Sequence, residues 1–158
     1  MKKQTRSPKQ LGDFGEGLVT YALIRKGFEV AYVDHVGADL IAEKAGKRIA
    51  VSVKTRLFRP GSSESLMTVV EFSALEKLQY FAEQFGMEPV FAQVVCLAGD
   101  HTIHLFMLRT SDIPTILAKV QHGYSTRFSK KRIKELTQSA MVDYSSWSDE
   151  NIGEHDFV

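Results

Sequence analysis

In the stretch GADLIAEKAGKRIAVSVKTR, residues 37–56, three polar residues stand among apolar neighbours: Asp39, Ser52 and Lys54. Two runs rich in Ile, Ala and Val flank Gly46-Lys47, which reads as a hairpin closed by a Gly-first two-residue turn. Counting outward from that turn sets Ala45 against Arg48, Glu43 against Ala50, Ile41 against Ser52 and Asp39 against Lys54. Directly opposed residues share a face, so Asp39, Ser52 and Lys54 line one side while Val51 and Val53 point into apolar packing. A one-residue slip would carry Asp39 to the face away from Lys54. A carboxylate and an ammonium on one face suit phosphodiester hydrolysis. Mg²⁺ needs only one or two protein carboxylates, a bound metal neutralises phosphate charge, and a lysine stabilises the charge of the transition state. The same residues also fit a surface hairpin with a cross-strand ion pair.

A second carboxylate comes from GDFGEG, where Glu16 lies beside Gly12 and Gly15. Each glycine inside a helix costs about 0.5–1 kcal/mol relative to alanine, so close approach of a strand or a phosphate backbone would explain them. A solvated Glu16 with Gly15 as a packing notch is the alternative.

The elements that must hold these groups follow from periodicity. Leu11, Phe14, Leu18 and Ala22, flanked by Val19 and Leu23, predict a helix over Pro8–Lys26, with Ser7 and Gln10 as a capping box and Gly27 as its stop. Strands are predicted at Phe28–Val33, Asp39–Lys44 and Arg48–Thr55, then a loop over Leu57–Leu66 (LFRPGSSESL). A second helix starts at Ser73, capped with Glu76, and runs through Leu78, Phe81 and Phe85 to Gly86. Strands at Pro89–Leu97 and Thr102–Leu108 flank a Gly99-Asp100 turn. Ser111 or Asp112 caps a short helix, and Ser129 caps KKRIKELTQ. With no repeat and no linker, residues 1–140 read as one domain and 141–158 as an acidic tail. The order predicts an α/β (α+β) fold with a mixed central sheet flanked by helices.

Composition narrows the class. The 158 residues suit one core, and 44% apolar with 25% charged residues is ordinary for a soluble domain. No apolar run approaches the roughly 20 residues of a membrane helix, and MKKQTRSPKQ is not followed by the apolar stretch of a secretory signal. Cys96 is the only cysteine, which excludes an internal disulfide and a thiolate zinc cluster and leads to the expectation of a cytoplasmic setting. The five histidines make no recognised metal spacing with Cys96. The net charge of +1 conceals an asymmetry: five of 19 acidic residues lie in 141–158 with no Lys or Arg, leaving residues 1–140 with 20 basic and 14 acidic groups. That balance is compatible with a polyanionic partner.

Taken together, GE on the first helix, GADLIA opening the second strand, AVSVKTR on the third and VEFSALEKLQYFAEQFGMEPVFAQVV beyond resemble the PD-(D/E)XK nuclease superfamily, over residues 11–108. Within it the likeness is to archaeal Holliday-junction resolvases and Mrr-type restriction endonucleases. The resemblance implies a restriction-endonuclease-like core, Mg²⁺-dependent (or Mn²⁺-dependent) cleavage of DNA, branched DNA included, and a homodimer. By position it implies Glu16 as the helix acid, Asp39 as the principal metal ligand and Lys54 as the phosphate- or water-positioning base. Where those families usually place Glu or Gln, this chain has Ser52, a neutral and weak ligand. Three accounts stand: activity with Glu16 and Asp39 alone, substitution by another acid, or binding without catalysis. Glu43 lies four strand residues from Asp39, roughly 13 Å, too far to share a metal. Glu71, just before the second helix, is the better substitute, and it also fits an ordinary surface position.

Basic residues extend the same reading. Arg56 and Arg59 lead into the Pro-Gly-Ser loop, and Lys130, Lys131 and Arg132 fall in the first turn of a helix, against its dipole. Both groups are candidate phosphate contacts, and a merely solvated helix face is the alternative for the second. The acidic tail is expected to compete for that surface. Tyr80, Phe81 and Phe85 read as helix core. A metal-dependent DNA endonuclease, a DNA-binding module of the same fold that no longer cuts, and a protein-interaction scaffold are the three functions in view.

Overall fold

The computed structural model describes residues 7–60 and 66–148. α1 (Ser7–Arg25) is followed by β1 (Glu29–Tyr32), β2 (Leu40–Lys44) and β3 (Lys47–Phe58). Then come β4 (Met67–Glu71), α2 (Phe72–Phe85), β5 (Glu88–Leu97) and β6 (Thr102–Arg109). A 3-10 turn at Thr110–Asp112 leads to α3 (Ile113–Ile116), β7 (Ala118–Val120), β8 (Gly123–Arg127), α4 (Lys130–Gln138) and β9 (Asp143–Ser148). Gly27 and Gly86 end the two long helices at φ +86° and +62°.

Six strands form a mixed sheet in the order β1-β2-β3-β5-β6-β9, in which only β3 and β5 run parallel. Its central strands are covered on both faces, which explains the nearly continuous apolar run VFAQVVCL in β5. On one face Val19, Ala22 and Leu23 of α1 pack on Leu40, Val51, Val53, Val94 and Trp147. Burial of each such aliphatic side chain contributes about 1.5–3 kcal/mol, which fixes how α1 lies across β3. On the other face Leu78, Phe81 and Ala82 of α2 cover Ala38 and Ala50. Beside α2, a second sheet in the order β4-β8-β7, together with α4, covers Phe91, Val95, Phe106 and Leu108. The expected mixed sheet with flanking helices is the observed architecture.

Several local expectations are corrected. The hairpin turn is Ala45-Gly46, with both residues at positive φ (49° and 80°), as a type I′ turn requires, so Lys44 pairs with Lys47 and Ile41 with Ala50. β3 continues through Phe58, into the stretch read as loop, and β4 follows that stretch, over residues not predicted as strand. No capping box forms at α2: Glu71, not Ser73, takes the N-cap position, without a side-chain cap bond. Phe81 is buried, whereas Tyr80 and Phe85 are 62% and 52% exposed. Ser129 does cap α4, accepting from the Arg132 N–H at 3.2 Å. Residues 143–148, read as tail, form the edge strand β9, which buries Trp147 and ties to α1 through a Lys26–Asp143 ion pair. The remaining acidic segment, 149–158, lies outside the described residues. Among the described residues no helix is long and apolar enough to cross a membrane.

Candidate functional site

β2 and β3 separate at Asp39, and the separation makes the site. The last ladder pair is Leu40–Val51. One step on, the Asp39 N–H still donates to the Val51 carbonyl (2.9 Å), and the Asp39 carbonyl accepts from Val33 N–H (3.0 Å). Beyond that point Val53 has no β2 backbone partner, and the Asp39 carboxylate takes the vacant place, its Oδ2 accepting from Val53 N–H at 2.7 Å. The residues before Asp39 are forced close to α2: a Cβ on Gly37 would lie 2.4 Å from the Lys77 carbonyl oxygen. Asp39 is thus held by its own backbone and by one carboxylate oxygen, with the second oxygen free of any hydrogen bond among the described residues.

Asp39 does not pair with Lys54: the register is displaced by two residues from the expected one, its last pair is Leu40–Val51, and Asp39 as well as Leu40 is set against Val51. Ser52 and Lys54 share one face of β3, Ser52 half-buried and Lys54 exposed, with Lys54 next in the chain to the Val53 whose N–H holds Asp39. Among the described residues no ion pair engages the Lys54 ammonium, so the alternative of an Asp39–Lys54 cross-strand pair is not what forms.

Glu16 reaches Asp39 from α1. The helix crosses β3 in direct contact at Gly15, where a Cβ would lie 1.8 Å from Thr55 Oγ1. Gly12, by contrast, has nothing within 4 Å of such a Cβ, so it is no notch. One residue past the crossing, the Glu16 carboxyl is held above the ordinary glutamate value, first by burial, then by the Asp39 and Asp13 carboxylates, with Lys9 acting in the opposite sense. Glu16 and Asp39 are therefore two carboxylates in electrostatic contact, partly withdrawn from water, an arrangement that a cation relieves.

The other expected acid does not join them. Glu71 caps the start of α2 with Ser73 Oγ 3.4 Å from its carboxylate, and no three His, Cys, Asp or Glu side chains converge on a metal site among the described residues. Glu43 pairs with Arg48 at the turn end of the hairpin. The donor set at the site is two carboxylates, with Ser52 next in the chain to the Val51 whose carbonyl accepts from Asp39 N–H.

Arg56 shares the Lys54 face of β3 and Arg59 follows the strand, both exposed. Lys130 and Lys131 are exposed on α4. Arg132 differs: its guanidinium donates to the Ile116 carbonyl and to Thr126 Oγ1 (3.3 Å) and pairs with Glu135 at 3.2 Å. It joins α3, β8 and α4 and is committed to structure rather than to a free basic surface.

Two residues near the site escaped the sequence reading. Thr55 carries the one buried side-chain polar atom among the described residues without a hydrogen-bond partner, its hydroxyl. Gln93, 5% exposed, lies beside Lys54 in the parallel β3–β5 register. A glutamine inside the otherwise apolar VFAQVVCL was the available signal for the second; the first depends on a tertiary contact with Gly15.

No protein-family model matches the chain, and no curated protein matches it. Among solved structures the fold is similar to that of Archaeoglobus fulgidus Hjc, a Holliday junction resolvase from an archaeal hyperthermophile, with a TM-score of 0.56 and 19% identity over 74% of this chain and 88% of that one. At that identity the likeness establishes a shared fold.

Proposed function

We propose that this chain is a divalent-metal-dependent DNA endonuclease with branched DNA among its substrates. The observation that carries the reading is the Asp39 carboxylate held on Val53 N–H at the split between β2 and β3, next in the chain to Lys54, with Glu16 of α1 near enough that Asp39 helps to raise its carboxyl. Fold similarity to a Holliday junction resolvase supports the substrate class, and the sequence resemblance supports a homodimer.

The two carboxylates fit Mg²⁺ or Mn²⁺, because Mg²⁺ retains several waters and is held by one or two carboxylates together with substrate phosphate. When bound, the metal supplies charge neutralisation at the phosphate and an acidified water. The chain's own groups have separate tasks. Asp39, fixed by Val53 N–H, and Glu16, set by the Gly15–Thr55 crossing, would hold the ion. Lys54, with no protein counter-ion among the described residues, presents its ammonium to the phosphate oxygens, where negative charge grows in the transition state. Arg56, Arg59, Lys130 and Lys131 supply sequence-independent attraction to the backbone. Ser52 leaves the site one charge short, which weakens the hold on the metal and slows the reaction.

That same shortage favours a second reading, a DNA-binding module of nuclease fold without cleavage: Ser52 stands two residues before Lys54 on β3, and no third acid converges there among the described residues. Incubating four-way junction, duplex and single-stranded DNA with Mg²⁺ or Mn²⁺, and resolving products on denaturing gels, separates the two. Metal-dependent cuts support the endonuclease, and binding without cuts supports the module. Neither binding nor cutting would leave only a scaffold role.

A further inference from the structure

Gln93 is an anomaly of the core. It occupies the middle of β5 between the two sheets, with Phe91 and Val95 as its same-face neighbours and Phe106 opposite it on β6. Only Thr68 and Ser125 are other buried polar residues among those described. An amide buried among aromatic and aliphatic side chains is unfavourable unless its polar atoms are satisfied, so its bonds indicate what it does. Its Nε2 donates to the Lys54 carbonyl at 3.1 Å and to the Val94 carbonyl at 3.3 Å. Gln93 and Lys54 are register partners on parallel strands, and such partners project to the same side of the sheet.

The strand it braces needs bracing. β2 pairs with β3 only as far as Val51, and past the Asp39 carboxylate on Val53 no strand lies beside the β2 edge of β3 among the described residues. Lys54 sits one residue into that one-sided segment, held by β5 alone. The Gln93 amide adds a side-chain tie at Lys54 itself, from a residue only 5% exposed that packs among Phe91, Phe106 and Phe128 beside a cavity of about 20 Å³ shared with Thr68, Tyr124 and Thr126.

We propose that Gln93 is a positioning residue for Lys54, locking its backbone so that the exposed ammonium is presented at a fixed place beside Val53, whose N–H holds the Asp39 carboxylate. The inference rests on the endonuclease reading, because it assigns Gln93 a role through Lys54 in DNA cleavage. A positioning residue of this kind acts on the reaction step and leaves DNA affinity alone, since the basic residues that attract the backbone lie elsewhere.

The test is a double-mutant cycle on cleavage of a four-way junction in Mn²⁺ under single-turnover conditions, with wild type, Gln93→Met, Lys54→Ala and the double variant. Gln93→Met keeps the length and the buried volume and removes both N–H donors. The expected result is a rate loss of about tenfold in Gln93→Met, with the DNA dissociation constant within twofold of wild type and no further loss when the change is made on Lys54→Ala. A purely structural role would lower the rate by the same factor in both backgrounds, and that additivity would overturn the inference while leaving the endonuclease reading intact. If Gln93→Met does not fold, Gln93→Asn, which keeps an amide but shortens its reach by one methylene, is put through the same cycle with the same two outcomes. Absence of metal-dependent cleavage by the wild type would overturn the endonuclease reading and the role of Gln93 with it.

Discussion

Gly15 of α1 and Thr55 of β3 are in contact so close that a single methyl on Gly15 would overlap the Thr55 hydroxyl, at 1.8 Å from Oγ1 and 3.0 Å from Cβ. Thr55 is the residue after Lys54, and Glu16 is the residue after Gly15. One contact therefore sets the separation between the helix carrying one candidate metal ligand and the strand carrying the candidate lysine.

Gly15→Ala is expected to destabilise the protein. In an isolated helix the change gains about 0.5–1 kcal/mol, but overpacking against a β-branched side chain costs about 1–3 kcal/mol, and rotation of Thr55 leaves its Cβ still too near. Urea unfolding should show a net loss, and Mn²⁺ affinity measured by calorimetry should fall as Glu16 is pushed away. Unchanged stability and unchanged affinity would mean that the crossing does not set the site.

The Glu16 carboxyl supplies a pH test. Its folded value lies above its unfolded value, so between the two the folded state holds more proton, and stability falls as pH rises through the raised value. Because burial is the larger cause and Asp39 the next, Asp39→Asn should move the Glu16 midpoint down only part of the way in a ¹³C-carboxyl NMR titration. Asparagine can still accept from Val53 N–H, which keeps the backbone in place. A midpoint indifferent to Asp39→Asn would separate the two carboxylates.

The basic residues are expected to divide by role. Lys130→Ala and Lys131→Ala should each flatten the salt dependence of DNA affinity by about one unit of slope without altering thermal stability. Arg132→Ala should do the reverse: a stability loss of about 1–3 kcal/mol from the bonds to Ile116, Thr126 and Glu135, with the salt slope intact. A salt slope that fell in Arg132→Ala would return Arg132 to the DNA surface.

Ser52→Glu introduces a carboxylate between Val51 and Val53, the two β3 residues whose backbone bonds hold Asp39. The third negative charge should tighten Mn²⁺ binding by on the order of tenfold, about 1.4 kcal/mol, and raise the cleavage rate. It should lower stability in the absence of metal, because a third carboxylate joins two that already repel. Weaker metal binding in Ser52→Glu would show that position 52 points away from the ion.

What the sequence made legible follows from which interactions are local. α1, α2, β3 and β5 carry strong periodicity or long apolar runs, and their buried faces demand one arrangement. The hairpin register was misplaced because Gly46-Lys47 is the obvious turn, whereas Ala45 adopts a left-handed conformation that its residue type gives no reason to expect. The displacement was by two, so Ile41 pairs with Ala50 instead of Ser52, and the strands part at Asp39 before any pairing with Lys54. β4, β7, β8 and β9 were missed: MTVVE trails a Pro-Gly-Ser segment, AKV and GYSTR are short, and DYSSWS is rich in serine. Each is specified by the strand or core beside it, not by its own pattern. Gly15 was legible as a notch but its partner Thr55 was not, and the Asp39–Val53 bond and the Gln93–Lys54 tie are tertiary contacts, invisible until the chain is folded.

The most direct measurement of the central claim is single-turnover cleavage of four-way-junction DNA in Mn²⁺ by wild type, Asp39→Asn and Lys54→Ala, with DNA affinity measured alongside. The account expects cuts by the wild type and a loss of at least about 100-fold in each variant, about 2.7 kcal/mol of transition-state stabilisation, while both variants still bind DNA. Wild-type protein that binds without cutting, or variants that cut as fast as wild type, would contradict it.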